Sequence, residues 1–358
     1  MSLTTLALTN LNDIAAQAFD AVIDVRSPAE YAEDHLPGAI NLPVLDDAER
    51  ARVGTIYKQQ SPFLARKVGG ALVAKNAARH LEGPLADLGG GWRPLIYCWR
   101  GGQRSGSFAT ILSQVGWRVT LVQGGYKAWR ALVVDQVQNR PVASPVVVLD
   151  GNTGSAKTGV LALLAARGVQ VIDLEGMANH RGSLFGHRAG GQPSQKGFEG
   201  RLAVALAGLD PARPVVVEAE SSRIGEVTLP KQMWAAMAAA PRLRIEVPLA
   251  ARAAYLARAY ADVTEDAARL ERVIESLRPV HAREVVEGWL AQARTGDFAA
   301  LAGGLMQQHY DPRYEKHRAR FGGGAVVAAG SLEPAALADL ADRVAAAIPG
   351  LCPGPRDI

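Results

Sequence analysis

The segment PLIYCWRGGQRS, residues 94–105, decides the fold of the first part of the chain. The apolar run PLIYC predicts a buried strand that ends at Cys98, and residues 105–115 have the periodicity of a helix. The loop that joins them contains Cys98, Trp99, Arg100, Gly101, Gly102, Gln103 and Arg104. A strand, a short loop and a helix in this order indicate an α/β domain with a parallel sheet.

The same alternation extends to both sides of this segment. Residues 19–25 (FDAVIDV) and 117–122 (WRVTLV) predict further strands, and residues 28–33 predict a helix. We therefore assign residues 1–133 to a first α/β domain. Residues 134–144 are polar, contain prolines and lack periodicity, so they predict a linker.

A second α/β domain is predicted for residues 145–330. Its expected strands are the apolar runs at 145–150, 169–174, 214–220 and 242–249, and residues 250–301 have a helical pattern. Residues 331–358 should form a C-terminal helix, at about 333–347, and a loose tail.

Composition limits the location and the class of the protein. The chain has 358 residues, a net charge of +4 and two cysteines, too few for a disulfide framework. No apolar run reaches the ~18 residues of a membrane span, and the N-terminus lacks the basic start of a signal peptide. We expect a cytoplasmic enzyme without a membrane partner, in which a lone thiol can react.

Cys98 is the candidate nucleophile. Gly101 and Gly102 let the loop curl so that N–H groups point inward, and the following helix adds a partial positive charge. With Arg100 and Arg104 nearby, these features should lower the pKa of the Cys98 thiol. The alternative is a buried cysteine that only closes a strand.

A second motif follows the strand at 145–150. It consists of Gly151, Asn152, Thr153, Gly154, Ser155, Ala156, Lys157 and Thr158. The spacing and the placement between strand and helix are those of a P-loop, in which backbone N–H groups and Lys157 bind phosphates and Thr158 can contact Mg²⁺. Ala156 replaces the usual glycine, and its methyl group should crowd a bound phosphate. The alternative is a glycine-rich turn without a ligand.

Other polar residues are candidates for supporting roles. Glu218 and Glu220 end a predicted strand, where an acid can act on a metal ion or a water molecule, or can simply be solvated. Aromatic residues among cations suit single-stranded RNA, although such a run can also be a solvated face. The RNA-binding candidates are Arg181, His187, Arg188, Tyr310, Arg313, Tyr314, Lys316 and Arg318, with His317 and Arg320 in the same basic run. The sequence identifies no bound metal.

The first domain resembles rhodaneses. Residues 24–31 (DVRSPAEY) and 35–43 (HLPGAINLP) resemble their N-terminal signature, and residues 122–129 (VQGGYKAW) resemble the signature after the active loop. Asp34 stands where many rhodaneses have glycine. The resemblance implies that Cys98 carries a persulfide or perselenide.

A rhodanese domain followed by a P-loop domain resembles the tRNA 2-selenouridine synthases. Residues 55–60 (TIYKQQ), 173–176 (DLEG), 180–186 (HRGSLFG), 218–225 (EAESSRIG) and 309–314 (HYDPRY) are similar to stretches of that family. The resemblance implies a tRNA substrate (the tRNAs for Lys, Glu and Gln), geranylation of 2-thiouridine at wobble position 34 from geranyl diphosphate, and replacement of the S-geranyl group by selenium from selenophosphate. It also implies an enzyme that supplies selenophosphate.

Two other functions remain open at this stage. A plain sulfurtransferase would explain the first domain and leave the second unused. A nucleotide-dependent regulatory module would use Lys157 and Thr158, with the first domain as a sensor.

Overall fold

The computed structural model describes residues 3–319, 321 and 324–352. The strands, in chain order, are β1 Thr4–Leu6, β2 Ala21–Asp24, β3 Ala39–Asn41, β4 Pro94–Tyr97, β5 Thr120–Val122, β6 Val146–Gly151, β7 Gln170–Ile172, β8 Val215–Glu218, β9 Arg223–Ile224, β10 Val227–Thr228, β11 Arg242–Glu246 and β12 Ala325–Ala328.

The α-helices are α1 Pro28–Glu33, α2 Asp47–Gln59, α3 Pro62–Glu82, α4 Gln103–Val115, α5 Gly125–Val134, α6 Lys157–Ala166, α7 Leu174–Ala178, α8 Gln195–Ala207, α9 Lys231–Ala239, α10 Leu249–Ala259, α11 Ala261–Thr264, α12 Ala267–Glu275, α13 Arg283–Thr295, α14 Phe298–Leu305, α15 Asp311–Arg318 and α16 Pro334–Leu351. Two π-helical turns, Asp135–Asn139 and Met306–Tyr310, and one 3₁₀ turn, Arg278–Val280, complete the list.

The first compact unit is a parallel sheet covered by helices. Its strand order is β1-β5-β4-β2-β3, and all neighbouring strands are parallel. The four residues of β4 are all buried, as expected for a strand with helices on both faces. Ile23, Ile96, Phe108 and Leu112 belong to the apolar core of this unit and are fully buried. This sheet holds Cys98 at the carboxyl end of β4.

The boundary of the first unit differs from the prediction in two places. The predicted linker at 134–144 is helical in its first half, because Val133 and Val137 are buried there. In addition, the unit comprises residues up to Arg140 together with Pro193–Gly208, which contains α8. The sequence-based boundaries assign residues 195–207 to the second domain, whereas Glu199 of α8 forms an ion pair with Arg130 of α5.

The second unit, residues 141–192 with 209 onward, contains another parallel sheet. Its strand order is β12-β11-β6-β8-β7, and β9 and β10 form a separate antiparallel pair. β6 is buried along its whole length and forms the centre of the sheet. One apolar core of this unit lies at the sheet and includes Leu149 and Val160. Another lies within the helical part and includes Leu270, Ile274, Trp289 and Leu301.

The predicted α/β architecture with two parallel sheets and a helical extension is confirmed. The predicted strands and helices are all present, with ends that shift by a few residues. No helix within the described ranges combines the length and the apolar character needed to cross a membrane. The predicted tail after Cys352 lies outside the described residues.

Candidate active site

The loop after β4 brings polar groups to the sulfur of Cys98. Cys98 is 4% exposed, and the Ser105 hydroxyl donates a hydrogen bond to its Sγ at 3.1 Å. The carbonyl groups of Cys98 and Trp99 accept hydrogen bonds from the N–H groups of Tyr126 and Lys127 at 2.9 and 3.0 Å. These two carbonyl groups are therefore tied to the start of α5, while other loop N–H groups remain for the sulfur.

Glycines make this close packing possible. Gly101 has φ +66°, in the left-handed region, and a Cβ there would lie 2.8 Å from the carbonyl oxygen of Val122. Gly125 has φ +59°, and a Cβ there would lie 2.3 Å from the carbonyl oxygen of Cys98. A side chain at either position would displace the loop. Gly102 caps the N-terminus of α4, and Gln103 begins that helix.

Electrostatics favour the thiolate form of Cys98. Burial opposes ionisation, but hydrogen bonds from the hydroxyl and N–H of Ser105, the charge of Arg104 and the N–H of Arg100 outweigh it, so the pKa of Cys98 lies below its ordinary value. Arg104 also forms an ion pair with Glu30 at 2.6 Å, and the Arg100 side chain is exposed. The predicted effect of the loop on the thiol therefore comes from Arg104, Ser105 and backbone groups.

Stacked aromatic and arginine side chains pack next to the cysteine loop. The Trp99 ring stacks on Tyr126, with ring centroids 5.2 Å apart, and the Arg26 guanidinium lies 4.1 Å from the Tyr126 ring. Arg26 is itself held by Asp24 at 2.6 Å, and both are almost fully buried. The Tyr126 hydroxyl donates to Asp34 at 2.8 Å, so the residue that departs from the rhodanese signature helps to fix this stack.

The second motif forms the predicted loop between β6 and α6. The Lys157 ammonium group donates to the Gly151 carbonyl at 2.8 Å and lies 5.5 Å from the Tyr314 ring centroid. The Ser155 hydroxyl donates to the Asn152 carbonyl at 2.8 Å. A Cβ at Gly154 would lie 3.1 Å from the Arg252 carbonyl oxygen of α10, which explains the need for glycine there.

Ala156 strains the backbone and does not obstruct the loop. It has φ 58° and ψ 30°, the left-handed conformation that costs a non-glycine residue ~1–2 kcal/mol. Its side chain is part of the apolar core formed with Val160, Leu161 and Leu164. The expected crowding of a phosphate is therefore not the consequence of this substitution; the methyl group packs into the core instead.

Carboxyl groups surround Lys157 and Thr158. The Thr158 hydroxyl donates to Glu175 at 2.9 Å, and the N–H of Glu175 donates to Glu218 at 2.7 Å. Burial raises the pKa of Glu218 well above its ordinary value, and burial with the neighbouring Glu175 raises the pKa of Glu220 to about 8. Burial lowers the pKa of Lys157, but Tyr314 and the nearby carboxylates raise it more, so the ammonium stays charged.

A resident metal cluster has little support in these residues. Within the part of the chain that the structure describes, no group of three or more His, Cys, Asp and Glu side chains is placed to hold a metal ion. The residues that would contact Mg²⁺ beside a bound diphosphate are Thr158 and Glu175, as the P-loop pattern expects for Thr158.

Two cavities of opposite character border the P-loop region. One has a volume of about 70 Å³ and an apolar lining that includes Leu256, Leu305 and Met306 together with the P-loop residue Thr153. The other has a volume of about 630 Å³ and a polar lining that includes Glu220. Ser183 and Tyr310 line both cavities, so the two spaces are adjacent.

The RNA-binding candidates divide between the polar cavity and internal ion pairs. His187, Tyr310, Arg313, Tyr314 and Arg318 line the cavity. The other arginines are paired with acids: Arg181 with Asp262 at 2.9 Å and Arg188 with Glu175 at 3.9 Å. Arg318 also contacts Asp150 at 3.3 Å, and Lys316 is exposed. Arg320 and the side chain of His317 lie outside the described residues.

Sequence reasoning missed residues that only tertiary structure brings together. The sequence predicts Ser105 only as the start of a helix, although a hydroxyl in the first turn after a cysteine loop is a usable signal. Glu175 follows Thr158 by 17 residues and accepts a hydrogen bond from its hydroxyl. The apolar cavity combines Thr153 with residues of α10 and α14, a grouping that has no local signature.

Fold and site together define an α/β protein that joins a rhodanese-type cysteine loop to a P-loop-type unit. A family profile described as a rhodanese-like domain matches residues 7–132, and one described as the tRNA 2-selenouridine synthase AAA domain matches residues 144–278. Curated synthases of this family that are 34–37% identical over 82–86% of the chain show that the chain belongs to the tRNA 2-selenouridine synthase family.

Curated relatives support this assignment over most of the chain. The tRNA 2-selenouridine synthase of Pseudomonas fluorescens is 37% identical over 325 residues, covering 83% of this chain and 88% of the relative. The one from Hahella chejuensis is 34% identical, covering 82% of this chain and 84% of the relative. The one from Pseudomonas syringae is 34% identical, covering 86% and 89%.

Proposed function

We propose that this chain converts 2-thiouridine at the wobble position of tRNA into 2-selenouridine, in two steps. In the first, the thiouridine sulfur attacks the allylic carbon of geranyl diphosphate, the C–O bond breaks and diphosphate leaves. In the second, selenium derived from selenophosphate attacks the pyrimidine carbon, and geranylthiolate leaves. Alkylation makes the sulfur a better leaving group, so the first step prepares the second.

The observation that carries the proposal is the pairing of cavities beside the P-loop. A diphosphate would meet Lys157 and loop N–H groups, which stabilise the charge that develops on a leaving group. The apolar cavity beside Thr153 suits an isoprenoid chain, and the polar cavity suits a base. The apolar cavity is small, so we expect the flexible Met306 side chain to move when the chain enters.

The apolar cavity favours the isoprenoid chain of a prenyl diphosphate over the ribose and base of a nucleotide. The polar ribose and base of a nucleotide need hydrogen-bonding partners, whereas the cavity beside Thr153 is lined almost entirely by carbon atoms. The regulatory-module hypothesis therefore lacks a site for its ligand in that cavity. A plain sulfurtransferase would leave both cavities of the second unit without a role.

Two variants test the division of labour between the units. Cys98→Ser should abolish formation of 2-selenouridine and leave S-geranylation intact, because geranyl transfer needs no thiolate. Lys157→Ala should lower the rate of geranylation by about 10²–10³-fold, the usual effect of removing a group that stabilises developing charge. Mass spectrometry of tRNA nucleosides after incubation with geranyl diphosphate and selenophosphate measures both products.

The outcomes separate the proposal from its competitors. Cys352→Ser, which removes the other cysteine, is the matched control and should behave as wild type. Loss of both activities in a folded Cys98→Ser protein would contradict the division into two steps. Unchanged geranyl transfer in Lys157→Ala would remove the assigned role of the P-loop. A purified protein that carries no RNA and modifies no tRNA would favour the sulfurtransferase.

A further inference from the structure

We infer that Cys98 bonds to phosphorus: its thiolate attacks the phosphorus atom of selenophosphate and thereby releases the selenium as a nucleophile. The inference rests on the proposed function, because it takes selenophosphate as the selenium donor. In a perselenide, the sulfur of Cys98 would bond to selenium; here it bonds to phosphorus. The cysteine loop would then act as a phosphoryl-transfer site.

The first observation is the direction of the polar groups in the loop. The carbonyl groups of Cys98 and Trp99 are bonded to N–H groups of α5, whereas the N–H groups of Arg100 and Ser105 are directed at the sulfur. N–H groups that converge on one point bind the oxygens of a tetrahedral anion. Arg104 adds a positive charge that favours the Cys98 thiolate, although Arg104 and Arg50 are both paired with Glu30.

The second observation is the charge of the cavity beside the loop. A cavity of about 650 Å³ is lined by Gln103 and Arg104 of the loop and by three further cations, Arg50, Lys58 and Arg66. Lys58 and Arg66 are exposed. Such a set of cations attracts a small, multiply charged anion such as selenophosphate.

The two possible points of attack give different phosphorus products. In selenophosphate the selenium has the oxidation state of selenide and the phosphorus that of phosphate. Attack of the thiolate on selenium would leave an electron pair on phosphorus, and the product would be phosphite. Attack on phosphorus forms an S–P bond and breaks the Se–P bond, and selenium leaves with the electron pair. Water then cleaves the S–P bond, which gives phosphate, a proton and the Cys98 thiolate.

The hydrogen bond from Ser105 fits the second half of this reaction. When water attacks the phosphocysteine, the Cys98 thiolate is the leaving group. The Ser105 hydroxyl lies 3.1 Å from the sulfur and stabilises the negative charge that develops there. Selenide is released in the nucleophilic form that the replacement of geranylthiolate requires.

The test uses the full-length protein with selenophosphate as the probe, without tRNA. Phosphorus NMR of the products should show phosphate, and intact-protein mass spectrometry after acid quench should show one phosphoryl group on Cys98. In Ser105→Ala, assayed at alkaline pH so that the Cys98 thiolate still forms, the phosphocysteine should accumulate, because its breakdown should slow by about tenfold to a hundredfold when the charge-assisted hydrogen bond is lost. Ser113→Ala, at the far end of the same helix, is the matched control.

The results distinguish this inference from the proposed function. Phosphite as the product, or selenium bound to Cys98 in the mass spectrum, would overturn the inference and leave tRNA selenation standing. The inference would also be overturned if Cys98→Ser and Cys98→Ala formed phosphate as fast as the wild-type protein. A wild-type protein that forms the phosphocysteine but does not modify tRNA would instead overturn the proposed function. The identity of the phosphorus product is measured on the wild-type protein, so this part of the test does not require any variant to fold.

Discussion

Replacement of Glu220 by Gln should stabilise the protein, and more so at alkaline pH. Burial raises the pKa of Glu220 from 4.5 to about 8, so in the folded state the carboxyl binds a proton that the unfolded chain loses near pH 4.5. Because the folded state binds more protons between these values, the free energy of unfolding falls as pH rises from about 4.5 to 8. A Gln side chain has the same shape and stays neutral.

The size of the effect follows from the pKa difference. One pKa unit corresponds to ~1.36 kcal/mol, so ionisation of Glu220 should destabilise the wild type by ~2 kcal/mol at pH 6 and by ~5 kcal/mol at pH 9. The advantage of Glu220→Gln should therefore grow by ~3 kcal/mol across this range. Urea unfolding at each pH, followed by circular dichroism, measures the difference between the two proteins.

A matched control is available at the same cavity. Glu226→Gln removes an exposed carboxylate that lines the cavity together with Glu220. We expect the control to follow the wild-type stability at every pH. A constant difference between Glu220→Gln and wild type from pH 6 to pH 9 would refute the reasoning, since it would mean that Glu220 does not titrate in this range.

Three further predictions concern the loops and the apolar cavity. Ala156→Gly should change the free energy of unfolding by less than ~1 kcal/mol, because relief of the left-handed strain offsets the loss of a buried methyl group. It should also leave KM for geranyl diphosphate nearly unchanged; a large fall in KM in steady-state kinetics would show that the methyl group does crowd the ligand. Leu305→Trp should fill the apolar cavity and raise KM for geranyl diphosphate by about tenfold without slowing selenation of tRNA that is already geranylated; an unchanged KM would place the isoprenoid chain elsewhere. Ser105→Ala should raise the pKa of Cys98, measured as the pH dependence of alkylation by iodoacetamide, because a hydrogen bond to the thiolate is lost; an unshifted profile would mean that the hydroxyl does not stabilise the thiolate.

Much of the architecture could be predicted because parallel strands leave a strong local signal. β4, β6 and β8 are buried on both faces, and each begins with an uninterrupted apolar run, at residues 94–97, 146–149 and 215–217. The loops that follow β4 and β6 carry glycines at sharp turns, so their positions were also predictable. In both loops the strand, the loop and the helix are adjacent in the chain.

The features that could not be predicted depend on packing between distant segments. The sequence of α8 has a helical pattern, but it does not state which sheet the helix covers. The effect of Ala156 depends on the direction of one methyl group, which only the surrounding core determines. The protonation of Glu220 depends on its depth and on Glu175, which precedes it by many residues.

The position of α8 has a practical consequence for anyone who divides this protein into halves. Because α8 belongs to the first unit but interrupts the sequence of the second, the chain would have to be cut on both sides of Pro193–Gly208 to separate the two units. A fragment that stops at Arg140 would lack α8. Such a fragment would uncover Trp129, which is 1% exposed in the intact chain and lies against Gly200 of α8. A truncated protein that loses activity could therefore have lost it because Trp129 is exposed, and the loss would not by itself show that a catalytic group is missing.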